Sequence, residues 1–239
     1  MDDEKRIYLG QHFLVDCNII SQIIRSCRVA KTDVVLELGT GYGYLTKEIS
    51  RLVYAVYSYE IEKELYSEAK RYLSNERNVK IFNIDFFEKP HIEFDFFLSN
   101  LPYSRSKDVV KWLSFHEFRE AILLVQKEFS EKLIARPGDA NYSIISVISQ
   151  YCFDIEPLFD VKKEAFLPPP QIESKVVRLR RNAKKMTKDI VYKLEHLFSR
   201  RNKKIISLIT DNSLANKKID ELDAENLVKF CNKLIDLKQ

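Results

Sequence analysis

Val34-Val35-Leu36-Glu37-Leu38-Gly39-Thr40-Gly41-Tyr42-Gly43 decides the fold. Apolar and β-branched residues run without interruption into a glycine cluster, which is the pattern of a buried strand ending in a tight loop. The glycines stand at alternate positions, where the backbone can take positive φ and approach a ligand closely. A helix is expected to start near Leu45, so the stretch reads as the opening of a β-α unit.

Outward from it the pattern repeats. Residues 53–59 read as a second strand ending at Glu60, and 61–73 as a charged, periodic crossover helix. Residues 79–83 lead to Asp85, 94–99 lead to Asn100, and 121–126 form a further strand followed by a helical run and the Pro137-Gly138 break. Strands alternating with helices predict an α/β fold, a Rossmann-like and mostly parallel sheet with helices on both faces. Residues 143–153 and 175–179 are expected to supply two more strands, seven in all, joined by a long excursion through Pro168-Pro169-Pro170. Beyond Arg181 the strand signal stops, and 187–199, 203–209 and 223–237 have helical spacing. The expected organisation is a domain over 1–181 and a small basic helical domain over 182–239.

In such a sheet a ligand sits at the carboxyl ends of the strands, where the polar residues Glu60, Asp85 and Asn100 all fall. A dinucleotide fingerprint would need its third glycine at Tyr44, which disfavours a pyrophosphate. The pattern E-x-G-x-G-x-G over Glu37 to Gly43 instead resembles the first motif of methyltransferases dependent on S-adenosylmethionine (SAM). Glu60, seventeen residues after Gly43, is placed to accept hydrogen bonds from both ribose hydroxyls of an adenosine, and Asp85 to accept one from its adenine amino group. The alternative for either carboxylate is a helix cap. Glu37 either orients loop amides or reaches the donor's amino-acid end through water.

Asn100-Leu101-Pro102-Tyr103 follows an apolar run and combines an amide, a backbone carbonyl, a rigid proline and an aromatic ring. Together these can grip a planar amine such as adenine N6. If the Asn100 oxygen and the Leu101 carbonyl both accept from N6, the nitrogen recovers the lone pair that the ring withdraws. Orientation against an already electrophilic methyl then supplies most of the catalysis, and no dedicated general base is required. Tyr103 would stack on a base swung out of its helix.

At 239 residues and 45% apolar content the chain has room for one full domain and a smaller one. Cys17, Cys27, Cys152 and Cys231 lie far apart without a C-x-x-C pair, which fits neither a zinc site nor a disulfide framework. No apolar run approaches the roughly 20 residues of a membrane helix. The first ten residues lack the apolar core of a signal peptide, so a cytoplasmic protein without membrane association is expected. Net charge is only +4, yet 174–239 holds 17 Lys+Arg against 8 Asp+Glu. A basic end on a mildly acidic body suggests a polyanion partner. Arg200, Arg201, Lys203 and Lys204 form one dense cluster, and Arg178, Arg180, Arg181, Lys184 and Lys185 another. Both suit phosphate contacts, which position an RNA without reading its sequence.

From Leu9-Gly10-Gln11-His12-Phe13-Leu14 through residues 37–46, Glu60, Asp85, 100–103, 124–138 and 166–179, the sequence resembles the KsgA family of ribosomal RNA adenine N6-dimethyltransferases. The resemblance implies transfer of two methyl groups from SAM to each of two adjacent adenines near the 3′ end of small-subunit rRNA, in a pre-ribosomal small subunit and without a metal. It implies that His12, Leu14, Gly39, Gly41, Glu60, Asp85 and Asn100 line the SAM pocket. It also implies that Asn100, Leu101, Pro102 and Tyr103 hold the target base. His12 stands where many relatives have asparagine; its ring nitrogen or backbone can still meet the donor's carboxylate end. Phe166 resembles a second aromatic flanking the base, with core packing as the alternative. The alternatives on the same fold are a large-subunit rRNA adenine N6-methyltransferase of the antibiotic-resistance type and a mainly non-catalytic ribosome assembly or transcription factor. The run at 166–179 and the basic helical end look more like the small-subunit branch, and a monomer is the default expectation.

Overall fold

The computed structural model describes residues 12–88, 92–199 and 218–236. The chain divides into two compact units: 1–106, 117–127 and 156–181 form the first, and 107–116, 128–155 and 182–239 the second. Residues 156–181 belong to the first unit and 182–239 to the second. The second unit also takes up two earlier segments.

The expected strands of the β-α pattern are present, each within two residues of its reading. They are β2 (Val34–Leu38), β3 (Ala55–Tyr59), β4 (Val79–Phe82), β5 (Phe96–Asn100) and β6 (Glu120–Gln126). A short β1 (Phe13–Leu14) precedes them, α1 (Cys17–Ser26) follows β1, and α2 (Tyr44–Ser50), α3 (Lys63–Tyr72), α4 (Ser106–Ser114) and α5 (Lys127–Ile134) are the helices after β2, β3, β5 and β6. The sheet has seven strands in the order β4-β3-β2-β5-β6-β9-β7, with β7 at Phe153–Val161 and β9 at Ser174–Arg181. β2, β3, β4, β5 and β6 pair in parallel, and β9 runs antiparallel to β6. The order reverses between β2 and β5, which places a crevice beyond their carboxyl ends. β1 makes a separate two-stranded sheet with β8 (Phe166–Leu167).

Val35, Leu98, Ile122, Leu124 and Val176 share one apolar cluster with Leu14, Ile20, Ile23 and Ile49. It fixes the strand ends from beneath. Burying side chains of this size contributes about 1.5–3 kcal/mol each.

Residues 143–153, expected as a strand, are a helix, α6 (Ile144–Cys152). Ser143 and Ser146 close a capping box at its start. Ser149 Oγ returns a hydrogen bond to Ile145 O at 2.7 Å. Ile145, Val147, Ile148 and Cys152 are all buried, so no polar face marks the helical period and the β-branched run imitates a strand. The missing strand is β7, which lies in the stretch expected as an excursion and carries Pro157. β7 is last in the sheet order, and a proline is tolerated on an edge strand.

Arg178 corrects the reading of the second basic cluster. It is 4% exposed, with Nε 3.2 Å from Glu120 and a guanidinium nitrogen 2.6 Å from Glu156. Its charge is neutralised within the sheet. Arg180 also lies 3.6 Å from Glu156, and Lys184 pairs with Glu225 inside the second unit. Arg200, Arg201, Lys203 and Lys204 lie outside the described residues.

In the second unit, α7 (Lys188–Phe198) starts on the Thr187 hydroxyl, which accepts from Ile190 N at 3.2 Å. Tyr142 donates its hydroxyl to Leu222 O at 2.8 Å, beside α8 (Ala224–Asp236). All four cysteines are free thiols, and burial pushes Cys27 and Cys231 up to about 12. No helix among the described residues is long and apolar enough to cross a membrane, and no cluster among them could hold a metal ion.

Candidate active site

A cavity opens at the carboxyl ends of β2, β3 and β5, and it is lined by every residue expected of the donor pocket. The loop after β2 shapes one wall. Gly41 has a φ of 54° and its ideal Cβ would lie 3.1 Å from the Phe13 ring; Gly43 has a φ of 84° and its Cβ would lie 2.8 Å from Leu73. Any side chain at either position strains the backbone and displaces a neighbour. Gly39 N donates to Tyr59 O at 2.8 Å, which closes the loop over the end of β3.

Two carboxylates support this loop differently. Glu60, 5% exposed, accepts from Gly41 N at 2.9 Å through one oxygen and from Glu62 N at 3.0 Å through the other. Burial raises its pKa, and the backbone donors oppose that shift. Each oxygen retains a second lone pair for a ligand hydroxyl. Glu37, 1% exposed, accepts from the Thr46 hydroxyl at 2.7 Å and the Ser58 hydroxyl at 2.5 Å. Ser58 in turn lies 2.5 Å from the Thr40 hydroxyl. Burial pushes the Glu37 carboxyl up to about 7, against these hydroxyl donors. Glu37 therefore braces β2, β3, α2 and the loop together.

Asp85 accepts from Phe87 N at 2.9 Å and lies 3.6 Å from the Arg105 guanidinium, which also stands 4.5 Å from the centre of the Phe87 ring. Arg105, Ile61, Ile84, Phe86, Phe87, Tyr42 and Tyr44 line the cavity as well. The sequence reading passed over all of them. A signal existed for some: Glu60 and Asp85 each have apolar neighbours in sequence, and Ile61 stays 63% exposed at the cavity. Arg105 gave no signal, because its partners come from another strand end.

The turn after β5 faces the glycine loop, with Asn100 O 3.8 Å from the ideal Cβ of Gly39. Asn100 Nδ2 donates to His12 O at 2.8 Å. A carbonyl can only accept, so the amide nitrogen is committed to it and Oδ1 is the atom left to serve as acceptor. Leu101, 2% exposed, is pinned by its N–H on Leu124 O at 3.2 Å. The Tyr103 hydroxyl lies 2.6 Å from Ser174 Oγ, and its ring centre is 5.3 Å from that of His12 with 32° between the planes. The His12 ring makes its own hydrogen bond, Nδ1 to Pro168 O at 2.8 Å.

The structure thus brings His12, Leu14, Gly39, Gly41, Glu60, Asp85 and Asn100 to one cavity, whose wall continues through Leu101 and Pro102. Tyr103 stands against His12. Phe166 is 3% exposed and belongs to the apolar cluster with Leu14 and Val161, so core packing, the alternative weighed for it, is what its surroundings show. This arrangement sets the Glu60 carboxylate and the Asn100 amide oxygen at one cavity as hydrogen-bond acceptors.

A family profile described as "Ribosomal RNA adenine dimethylase" matches residues 2–234. The chain is 32% identical to Ribosomal RNA small subunit methyltransferase A of Thermotoga petrophila, over 95% of this chain and 90% of that one. It is 36% identical to the protein of the same name from Caldanaerobacter subterraneus, over 72% and 68%. Among solved structures, a dimethyladenosine transferase from Plasmodium falciparum aligns with a TM-score of 0.83 at 24% identity, covering 94% of this chain and 98% of that one. The 23S rRNA methyltransferase ErmE aligns at 0.67 and 24%, covering 93% and 99%. These two share the fold.

Proposed function

Because the chain belongs to the ribosomal RNA adenine dimethylase family, we propose that it methylates N6 of two adjacent adenines near the 3′ end of small-subunit rRNA, with SAM as donor. The observation that carries the proposal is the Asn100 amide, held by the His12 carbonyl beside the glycine loop so that its oxygen is the acceptor. An acceptor there selects a ligand with an N–H to give, which adenine N6 has.

The donor supplies an electrophilic sulfonium methyl. Glu60 would accept from its ribose hydroxyls and Asp85 from its adenine amino group, while Ile61, Ile84 and Phe86 offer apolar surface to the ring. The positive-φ glycines leave room for the backbone to approach. Asn100 Oδ1 and the Leu101 carbonyl draw on the two N6 hydrogens and localise the nitrogen lone pair. That pair forms the new N–C bond as the S–C bond breaks and its electrons return to sulfur. The N6 proton then leaves to water. Tyr103 supports the base from its ring face. Positioning of this kind is able to supply many powers of ten in rate.

Arg200, Arg201, Lys203 and Lys204 are proposed to hold RNA phosphates, in a cytoplasmic monomer acting on a pre-ribosomal small subunit. Neutralising about six phosphates makes affinity fall by roughly a thousandfold between low and moderately high salt. Reversal of the four to glutamate is expected to abolish RNA methylation and spare SAM binding. Loss of SAM binding instead would assign the cluster to folding.

The deciding experiment offers bare small-subunit rRNA, assembled small subunits and large-subunit rRNA, then maps the methylated bases. Dimethylation of two neighbouring adenines near the small-subunit 3′ end is expected. Methylation confined to large-subunit rRNA, or none on any RNA, overturns the proposal.

A further inference from the structure

Tyr103 meets a residue far from its own motif. Ser174 is 0% exposed and opens β9, where it sits in register with Gln126 of β6. Beside it, Lys127 N donates to Glu173 O at 3.1 Å. The backbone that carries Ser174 is thus held against the end of β6, and its hydroxyl lies 2.6 Å from the Tyr103 hydroxyl.

Tyr103 needs such an anchor. It begins a single turn (Tyr103–Arg105) after Pro102, where Arg105 N returns to Pro102 O at 2.8 Å. One turn of this kind holds the backbone but leaves the ring free about its side-chain torsions. The His12 ring lies beside it at a tilt of 32°, and the hydroxyl tether removes the rotation that this contact allows. Burial raises the pKa of the phenol, so it stays protonated and able to share the hydrogen bond at any physiological pH.

We infer that Ser174 is a positioning residue: its hydroxyl locks the Tyr103 ring in the orientation that receives the target adenine. The inference rests on the function proposed above. It makes the orientation of the base, and not the binding of donor or RNA, the quantity that Ser174 controls. Displacing a reacting group by about 1 Å costs up to a hundredfold in rate, while the phosphate contacts that dominate RNA affinity are untouched.

The test compares Ser174→Ala, Ser174→Thr, Tyr103→Phe and the double variant Ser174→Ala/Tyr103→Phe by steady-state methyl transfer to small-subunit rRNA. SAM affinity and melting temperature are measured alongside. Ser174→Ala is expected to lower kcat about tenfold with SAM affinity and the RNA KM within about twofold of wild type. Ser174→Thr, which keeps the hydroxyl, is expected to restore most of the rate. Tyr103→Phe removes the same bond from the other side, so it should match Ser174→Ala, and the double variant should be no slower than either. Wild-type kcat in Ser174→Ala, multiplicative losses in the double variant, or equal losses in the Thr and Ala variants with a lowered melting temperature would each overturn the role of Ser174. Absence of transfer by the wild-type protein would overturn the functional reading itself, and with it this inference.

Discussion

The two walls of the cavity are built by different means. The donor wall, after β2, is local: Glu37, Thr40, Thr46, Ser58 and Glu60 bond to one another and to Gly41 within a span of 24 residues. The acceptor wall, after β5, is assembled from afar. Asn100 is held by His12, 88 positions away, Tyr103 by Ser174, 71 away, and His12 by Pro168, 156 away. The hydrogen bonds of the first wall close within one β-α-β unit. An acceptor site of remote contacts exists only when the whole first unit is folded. Binding of the methyl donor and orientation of the methyl acceptor should therefore fail separately.

The sharpest break is expected at Asn100. Asn100→Ala should cost about a hundredfold or more in methyl transfer, comparable to removing one preorganised hydrogen-bonding group from an active site. SAM affinity should stay within a few fold, and dimethyladenosine yield set against SAM binding by calorimetry checks both. Near-normal yield would remove Asn100 from its role.

Glu60→Gln acts on the opposite wall. It replaces one carboxylate acceptor by an amide donor while the Gly41 and Glu62 N–H groups still need partners. SAM affinity is expected to weaken about thirtyfold, in line with a charge-assisted hydrogen bond of about 2 kcal/mol, with kcat at saturating SAM changed much less. A kcat loss at unchanged affinity would move Glu60 to the acceptor wall.

Gly41→Ala should weaken SAM about tenfold, since the left-handed backbone costs about 1–2 kcal/mol for a residue with a Cβ. That Cβ would also press on Phe13. Titration calorimetry reads it, and unchanged affinity would mean that the loop's positive φ is not used by the ligand.

Glu37→Gln should change transfer least and stability most visibly with pH. The folded carboxyl sits at about 7 against an ordinary 4.5, so the folded chain holds this proton more tightly than the unfolded chain. The stabilisation from the protonated group is complete below the unfolded value and is lost as pH rises through about 7. Melting of the wild type should accordingly fall between pH 5 and 8 more steeply than that of Glu37→Gln, roughly by a few degrees. Parallel curves would show that the hydroxyl network neutralises the cost of burying the charge.

Legibility followed the same division. β2, β3, β5 and β6 were readable because each buries apolar residues and ends in a polar or glycine signal, and β4 because its apolar residues, only half-buried, lead to Asp85. α6 was not, because a helix buried on all sides has lost the period that identifies it. Arg178 belonged by composition to a basic surface, and only the register of β9 against β6 reveals Glu120 and Glu156 beside it. Arg105 carried no signal, and Ser174 stood inside the run at 166–179 with nothing to mark its hydroxyl.

By itself the sequence determined the β-α order, the glycine loop, the acidic strand ends and the asparagine turn. Each of these rests on backbone preference and on neighbours within a few tens of residues. Tertiary structure alone decided that the His12 carbonyl holds the Asn100 amide nitrogen, what the Tyr103 hydroxyl meets, that Phe166 packs inward and that the Arg178 charge is neutralised inside. Those outcomes depend on distances between groups far apart in the chain, and such distances are set when the sheet closes its order around β2 and β5.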